Sequence, residues 1–442
     1  MAIVITSAVE EYKFFLSKYL LPLIGVSANS VILEPLEEAE RINTFNITRK
    51  DEYVYFLADK VPYYRAKLSV SDDNIRLARN IINSFSSVSK YKLLEKGTDI
   101  RHEYLSDTLQ IKSYEYAVQH GICSWITGNT KISDIDRLLC ILERWSVQTY
   151  EGRKVTFGFV INSKEEGVEE WLDFLEDDYS ATLTDCIHSV IELDTSGRLI
   201  KYHSLSEDNI VHSNEHGIRP YRFSDVLDNF VTKDKVGIFL LNNGDIIISK
   251  ARQIRFVKRN LKWLNLSYDA FNNSIRSFCL DERIVQEIYA SMLDVSFSHT
   301  GGIISVVTDL MILRDEKILS PSDDIMFSGD IEKQLKASVS QSDMSKRMLK
   351  RQSIHGLIKE RSFCEIDRKL RAELIAMDGA CIIGKEGQLF AVGAIIQNES
   401  GSSGGGRGSA CRRLAKYGVA IKISTDGYIE VFQGTDLIYS VK

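Results

Sequence analysis

A chain of 442 residues, 44% hydrophobic and 26% charged, has an ordinary globular composition, and its length exceeds what one core usually holds, so two or three domains are expected. A net charge of -6 excludes a global attraction to nucleic acid or anionic membrane and leaves room only for a local basic patch. No apolar run approaches the ~20 residues of a membrane span. The N-terminal MAIVITSAVEEYKFF meets Glu10 and Glu11 where a signal peptide would carry a basic segment and a long apolar core. The seven cysteines are scattered with no C-x-x-C pair, which fits neither a disulfide framework nor a zinc knuckle. Reduced thiols and a cytoplasmic location are the expectation.

Residues 1–150 read as largely helical after a mixed start. SDDNIRLARNIINSF opens at Ser71 with a Ser/Asp cap and sets Ile75, Leu77, Ile81 and Ile82 at near-helical spacing. SDIDRLLCILERW, from Ser133, repeats the pattern. His102 and His120 stand alone and are expected to be structural. This N-terminal region has no assignable role.

From Gly152 the pattern changes to short β-branched runs separated by turns. KVTFGFVIN is followed by IELDTSGRLIKY and VGIFLLNNGDIIIS, and the last two carry polar glycine turns between apolar arms, as hairpins do. Residues 151–278 are therefore expected to form a mixed α/β domain with a sensory or regulatory role. Within it KARQIRFVKRNLKW (250–263) holds six Lys/Arg with Phe256 and Trp263 interleaved. Such a run either binds single-stranded nucleic acid or is an edge strand and helix with a solvated charged face. The second reading is the simpler.

Residues 279–442 form the third expected domain. DERIVQEIYASMLDVSF steps Ile284, Ile288 and Met292 by four, an amphipathic helix. In SHTGGIISVV, Ser298 and His299 precede a glycine pair and a buried-type strand. The glycines are expected to make a tight turn with His299 packed beside it. FCEIDRKLRAELIAM places Ile366, Leu370 and Leu374 on one helical stripe. ACIIGKEGQLFAVGAII (380–396) and VAIKISTDGYIEVF (419–432) read as hairpins. Between them ESGSSGGGRGSACRR packs five glycines into residues 401–408, with Arg407 among them. The run lies inside a domain and so reads as a loop open to close approach, with backbone N–H groups, Arg407 and Arg412 or Arg413 presented to a phosphate. A merely disordered loop tip is the alternative. Its spacing is not that of a Walker loop. A helix ends and a strand begins at Asp378-Gly379-Ala380, a corner at the rim of a sheet.

On these residues the segment from about 281 to 442 resembles the catalytic domain of diadenylate cyclases, also found in DNA-integrity-scanning proteins. The motifs are the Gly-Gly strand start, LRAELIAMDGACIIGKEGQLFAVGAII, the glycine-rich loop with arginine and the closing hairpin. The resemblance implies a mixed sheet flanked by helices, and a homo-oligomer in which two ATP-bound domains face each other and join two ATP into cyclic di-AMP. It implies that Asp378 helps a Mg2+ or Mn2+ ion and the 3′-hydroxyl attack the α-phosphate, with Gly379 and Ala380 beside it. The family's Gly-Thr-Arg-His-Arg loop falls on Gly405, Gly406, Arg407, Gly408 and Ser409, where only the first glycine and Arg407 keep the family's residues. Arg412 and Arg413 are the candidates to supply the missing charge. The expectation is a nucleotide receptor or sensor for ATP or a cyclic dinucleotide, with an active cyclase and a non-enzymatic scaffold as alternatives.

Overall fold

A computed structural model describes residues 8–26, 34–35, 45–50, 53–58, 61–67, 70–94, 102–128, 132–205, 220–232, 234–278, 280–329, 340–396 and 405–441. The fold is mixed α/β, and its contacts divide the chain into two units, residues 1–217 with 223–267 and residues 218–222 with 268–442. Among the described residues no helix is long and apolar enough to cross a membrane.

The first unit begins with helix α1 (Ala8–Phe15), a π-helical turn (Leu16–Leu20) and α2 (Leu21–Leu23). The mixed start seen in sequence then becomes an antiparallel sheet of β1 (Glu34–Pro35), β2 (Phe45–Lys50), β3 (Tyr53–Ala58) and β4 (Val61–Lys67), in the order β1-β4-β3-β2. Helices α3 (Asp72–Leu94) and α5 (Ile132–Ser146) follow where the apolar spacing predicts them, with α4 (His102–Thr127) between them. His120 is structural, its Nδ1 lying 3.0 Å from Ser84 Oγ, while the side chain of His102 is outside the described residues.

A short ribbon of β5 (Thr149–Tyr150) and β6 (Arg153–Lys154) leads to an eight-stranded sheet. Its strands are β7 (Phe157–Asn162), β8 (Glu169–Glu170), β9 (Ser189–Asp194), β10 (Arg198–Ser204), β11 (Lys235–Leu240), β12 (Ile246–Lys250), β13 (Gln253–Arg259) and β14 (Lys262–Asn265), in the order β14-β13-β12-β11-β7-β9-β10-β8. Only β7 and β9 pair in parallel. Helix α6 (Ser224–Phe230) packs beside β11. One apolar cluster runs from Tyr12 and Phe85 through Trp145 and Phe157 to Phe256, so the helices and the four- and eight-stranded sheets share a core.

The basic run 250–263 is corrected by this sheet. It holds no helix: β13 and β14 form a hairpin whose turn residues Asn260 and Leu261 both have positive φ (49° and 67°). Nor is its charge fully solvated. Lys258 and Arg259 are buried, with Lys258 paired to Glu143 and Gln119, and Arg259 doubly bonded to Asp245. A charge taken out of water needs such partners, and they come from other elements of the fold.

The second unit contains α7 (Tyr268–Ile275), α8 (Glu282–Ser298), β15 (Gly302–Val307), α9 (Leu310–Asp315), α10 (Gln341–Ile358), α11 (Arg368–Ala376), β16 (Ala380–Gly384), β17 (Leu389–Ala394), α12 (Gly405–Ala415), β18 (Gly418–Ile423), β19 (Ile429–Gln433) and β20 (Asp436–Val441). Its sheet has the order β17-β16-β15-β18-β19-β20, parallel between β15 and β16 and antiparallel elsewhere. Both sequence-predicted hairpins are present. On one face Ile303, Val307, Ile382 and Ala420 pack with Ala410, Cys411, Leu414 and Ala415 of α12. On the other face lies α11, whose Ile375 carbonyl sits where a Cβ on Gly302 would be. Ile366 is not part of the expected helical stripe, because Asp367 caps α11 by accepting from the Lys369 and Leu370 amides, leaving Ile366 extended before the helix.

Candidate functional site

Asp378 lies in the corner between α11 and β16 and is exposed, with no side-chain partner among the described residues. Gly379 has φ +109°, and a Cβ there would meet Gly393 C at 2.4 Å, so the corner requires glycine for both conformation and space. Ala380 is a wall residue: it is wholly buried in the apolar cluster.

The glycine-rich run differs most from expectation. Residues 405–409 form no loop; they are the first turns of α12. The burial of Ala410, Cys411 and Leu414 against the sheet overrides the weak helix propensity of the glycines. Residues 401–404 lie outside the described residues. Gly405 and Gly406 are therefore at a helix N-terminus, where amides without intrahelical partners point outward and the helix field favours anions. Gly408 and Ser409 are buried within the helix.

Arg407 is half-buried, and its guanidinium lies against Gly301, in the turn before β15. A Cβ built on Gly301, whose φ is +71°, would sit 2.7 Å from Arg407 Nη1 and 3.1 Å from the Thr425 amide nitrogen. That turn is closed as the sequence predicts: His299 ends α8 in the left-handed conformation, and its Nδ1 lies 2.9 Å from the Thr425 carbonyl.

The strand register relates these pieces. β15 and β16 run parallel with Ile304 opposite Cys381. Gly301 precedes β15 and Asp378 precedes β16, so in this parallel pair the two turns lie at the same end of the sheet. Arg407, Gly301, Asp378, Gly379 and the start of α12 thus share one end of the sheet. Arg412 does not join them. Its guanidinium lies over the Phe432 ring, 5.8 Å from the centroid, and Phe432 pairs with Ala420 in mid-sheet. Arg413 is half-buried on the following position of the helix.

Two polar side chains missed in the sequence complete this end. Lys350 of α10 donates to the Gly393 carbonyl and, at 3.3 Å, to Asp323, whose other oxygen accepts from the Ile395 amide. No motif marks them, since they meet the corner from elements 43 and 72 residues away from their backbone partners. The thiols at hand are inert: burial pushes Cys381 and Cys411 up to about 12.

Among the described residues no group of three or more His, Cys, Asp or Glu gathers as a metal site. The donor set offered by Asp378 is one unpaired carboxylate. It suits Mg2+ or Mn2+ where phosphate oxygens and water supply the remaining ligands.

No protein-family profile matches the chain, and no curated protein matches it. Among solved structures, a crystal structure of a double mutant of DacA from Staphylococcus aureus is similar over 36% of this chain and 88% of its own, at 12% identity and a TM-score of 0.22. DacA is thus a weak structural neighbour.

Proposed function

We propose that the second unit is a nucleotide receptor that grips the polyphosphate of ATP, or the phosphates of a cyclic dinucleotide, at the sheet end carrying Arg407 and Asp378. The observation that supports this reading is that Arg407, packed on the Gly301 turn at the N-terminus of α12, lies at the same end of the sheet as the Asp378-Gly379 corner. A guanidinium and open helix amides bind phosphate oxygens directly. A divalent cation on Asp378 would neutralise further phosphate charge and lower the barrier to hydroxyl attack, which is the chemistry it would supply in a cyclase.

Receptor is preferred to cyclase because of what surrounds Arg407. Charge developing on a transferring phosphate needs donors already in place. The family's second arginine and its histidine are Ser409 and Gly408 here, both buried in α12, and Arg412 sits over Phe432. Arg407 is the arginine packed on the Gly301 turn, with glycine amides beside it as neutral donors. A cyclase would also need a second copy of the chain facing the first.

The test is incubation with ATP and Mn2+, followed by product mass analysis and thermal melts with ATP, GTP and cyclic dinucleotides. A receptor gives a ligand-dependent rise in melting temperature with no cyclic product, and Arg407→Ala weakens binding by roughly 1–3 kcal/mol. Cyclic dinucleotide formed by the parent and lost in Asp378→Asn would establish the cyclase instead. The absence of any nucleotide effect would leave the scaffold reading.

A further inference from the structure

The basic run 250–263 divides into two parts in the fold. Lys258 and Arg259 are sealed in ion pairs, whereas Lys250 and Arg255, on neighbouring strands β12 and β13, turn toward the first turn of α3. There Arg255 meets Arg76 on a single carboxylate, with Lys250 close by over the Trp125 ring. Asp73 accepts from Arg76 Nη2 at 2.7 Å, from Arg255 Nη2 at 3.0 Å and from the Trp125 indole at 3.1 Å. The Lys250 ammonium lies 4.6 Å from the centroid of the Trp125 ring, and among the described residues no carboxylate comes within 4.0 Å of it. The other acid of this turn, Asp72, is taken by Arg49.

Two guanidiniums therefore share one carboxylate with an ammonium close by; the other acid that acts on Lys250, Asp234, is already paired with Lys164, so cations remain in excess. Burial and the adjoining Arg76 and Arg255 push the Lys250 ammonium below the usual lysine range, against the pulls of Asp73 and Asp234. Like charges held together at partial burial are costly unless a counter-ion joins them. The geometry also prepares them for one. Asp73 orients both guanidiniums while engaging one nitrogen of each, so their remaining N–H groups stay available. The N-terminus of the 23-residue α3 adds its positive field. Arg76, with about half its side chain exposed, gives access from solvent.

We propose that Arg76, Lys250 and Arg255 form an anion site on the first unit that takes a phosphate monoester, whose negative charge answers the excess of cations there. Two sources carry that group: free phosphate or a mononucleotide, and the 5′-phosphate end of a nucleic acid. The three cations all belong to the first unit, and the proposal does not rest on the reading of the second.

The test uses the full chain carrying Arg407→Ala, so that the second unit's candidate site is disabled. Inorganic phosphate, AMP and a single-stranded oligonucleotide with and without a 5′-phosphate are titrated by calorimetry, against chloride at equal ionic strength. Saturable binding of phosphate is expected, weakened roughly 10- to 100-fold by Lys250→Met and by Arg76→Gln, as for loss of a charged donor. Arg76→Gln alters an exposed residue, so it carries the test should Lys250→Met fail to fold. A preference for the 5′-phosphorylated strand over phosphate and AMP would identify the nucleic-acid end as the source. No saturable phosphate binding, or equal affinity in parent and Arg76→Gln, overturns the proposal.

Discussion

Arg407 and Gly301 are so close that the space a Cβ would take on Gly301 is already limited by the guanidinium, 2.7 Å away. Gly301 also has φ +71°, which costs an alanine about 1 kcal/mol or more. Gly301→Ala is therefore expected to lower the stability of the second unit by 1–2 kcal/mol and to displace the guanidinium from the sheet end. If Arg407 works from this position, Gly301→Ala weakens nucleotide binding, and the double variant with Arg407→Ala binds no worse than Arg407→Ala alone. Additive losses in that cycle would show that the two residues act independently.

The helical glycines make the opposite prediction. A Cβ on Gly406 or Gly408 meets nothing within 4 Å. Alanine at either position should stabilise α12, by about 0.5–1 kcal/mol at Gly408, since glycine is the poorer helix former. Gly406 is exposed at the helix start, so its methyl group would stand beside the amides offered to a phosphate. Gly406→Ala is expected to melt no lower than the parent while binding nucleotide more weakly. Higher stability with unchanged affinity would remove the amides of this turn from the binding site.

What the sequence showed and what it hid follow one physical division. Local periodicity was enough for α3, α5 and α8, and for hairpins turning at Asn243-Gly244 and Asp426-Gly427, because those patterns are complete within a few residues. The corner at Asp378 was visible because Asp-Gly breaks a helix before a β run. The state of residues 405–409 was not visible, since it depends on Ala410 and Leu414 finding a sheet built largely from other segments. That Gly301 and Asp378 fall at the same end of the sheet depends on parallel pairing across 77 residues, for which a single sequence has no signal. The burial of Lys258 depends likewise on Glu143, 115 residues away.

Acid should act on the first unit through two carboxylates. Burial by itself would raise the pKa of Glu192, but bonds from His203, Lys235 and Asn162 prevail and hold it at about 2. Burial likewise opposes the lowering of Asp185, which His188 and the amides of residues 187–189 bring to about 2. Both are depressed in the folded chain, so the unfolded state takes up protons first. The stability they contribute is fully present above about pH 4.5 and is lost as pH falls toward 2. Urea melts across this range should show a steep decline in the parent and a shallower one in Glu192→Gln, whose stability is lower from the outset. Parallel pH profiles would mean that Glu192 titrates alike in both states.

The Asp245–Arg259 pair tests how charge is held inside the first unit. Both side chains are at most 5% exposed, and two nitrogens of the guanidinium reach the carboxylate. Asp245→Asn removes the carboxylate charge from beside a buried cation and should cost about 3–5 kcal/mol. Replacing both residues together, Asp245→Leu with Arg259→Met, should cost less than the single change, because no lone charge then remains. Chemical denaturation of the parent and the two variants decides between them. A double variant worse than the single would mean that the pair adds net stability here.

Lys350 connects α10 to the corner that carries Asp378. Its ammonium bridges the buried Asp323 and the Gly393 carbonyl, while Gly393 lies back to back with Gly379. Lys350→Met leaves Asp323 with the Ile395 amide as its remaining donor of those described above. Because Lys350 is about 30% exposed, solvent screens the loss, and a cost of about 1–2 kcal/mol is expected. The more informative quantity is nucleotide affinity. If the ammonium holds the Gly393 and Gly379 backbones in place, Lys350→Met weakens binding although the side chain need not touch the ligand, and Lys350→Arg restores part of it. If Lys350 itself contacts phosphate, binding by Lys350→Met falls with a reduced dependence on salt, because one cation fewer is screened. An unchanged salt slope together with weaker binding assigns it to positioning, since the charge facing the ligand is then the same in both chains.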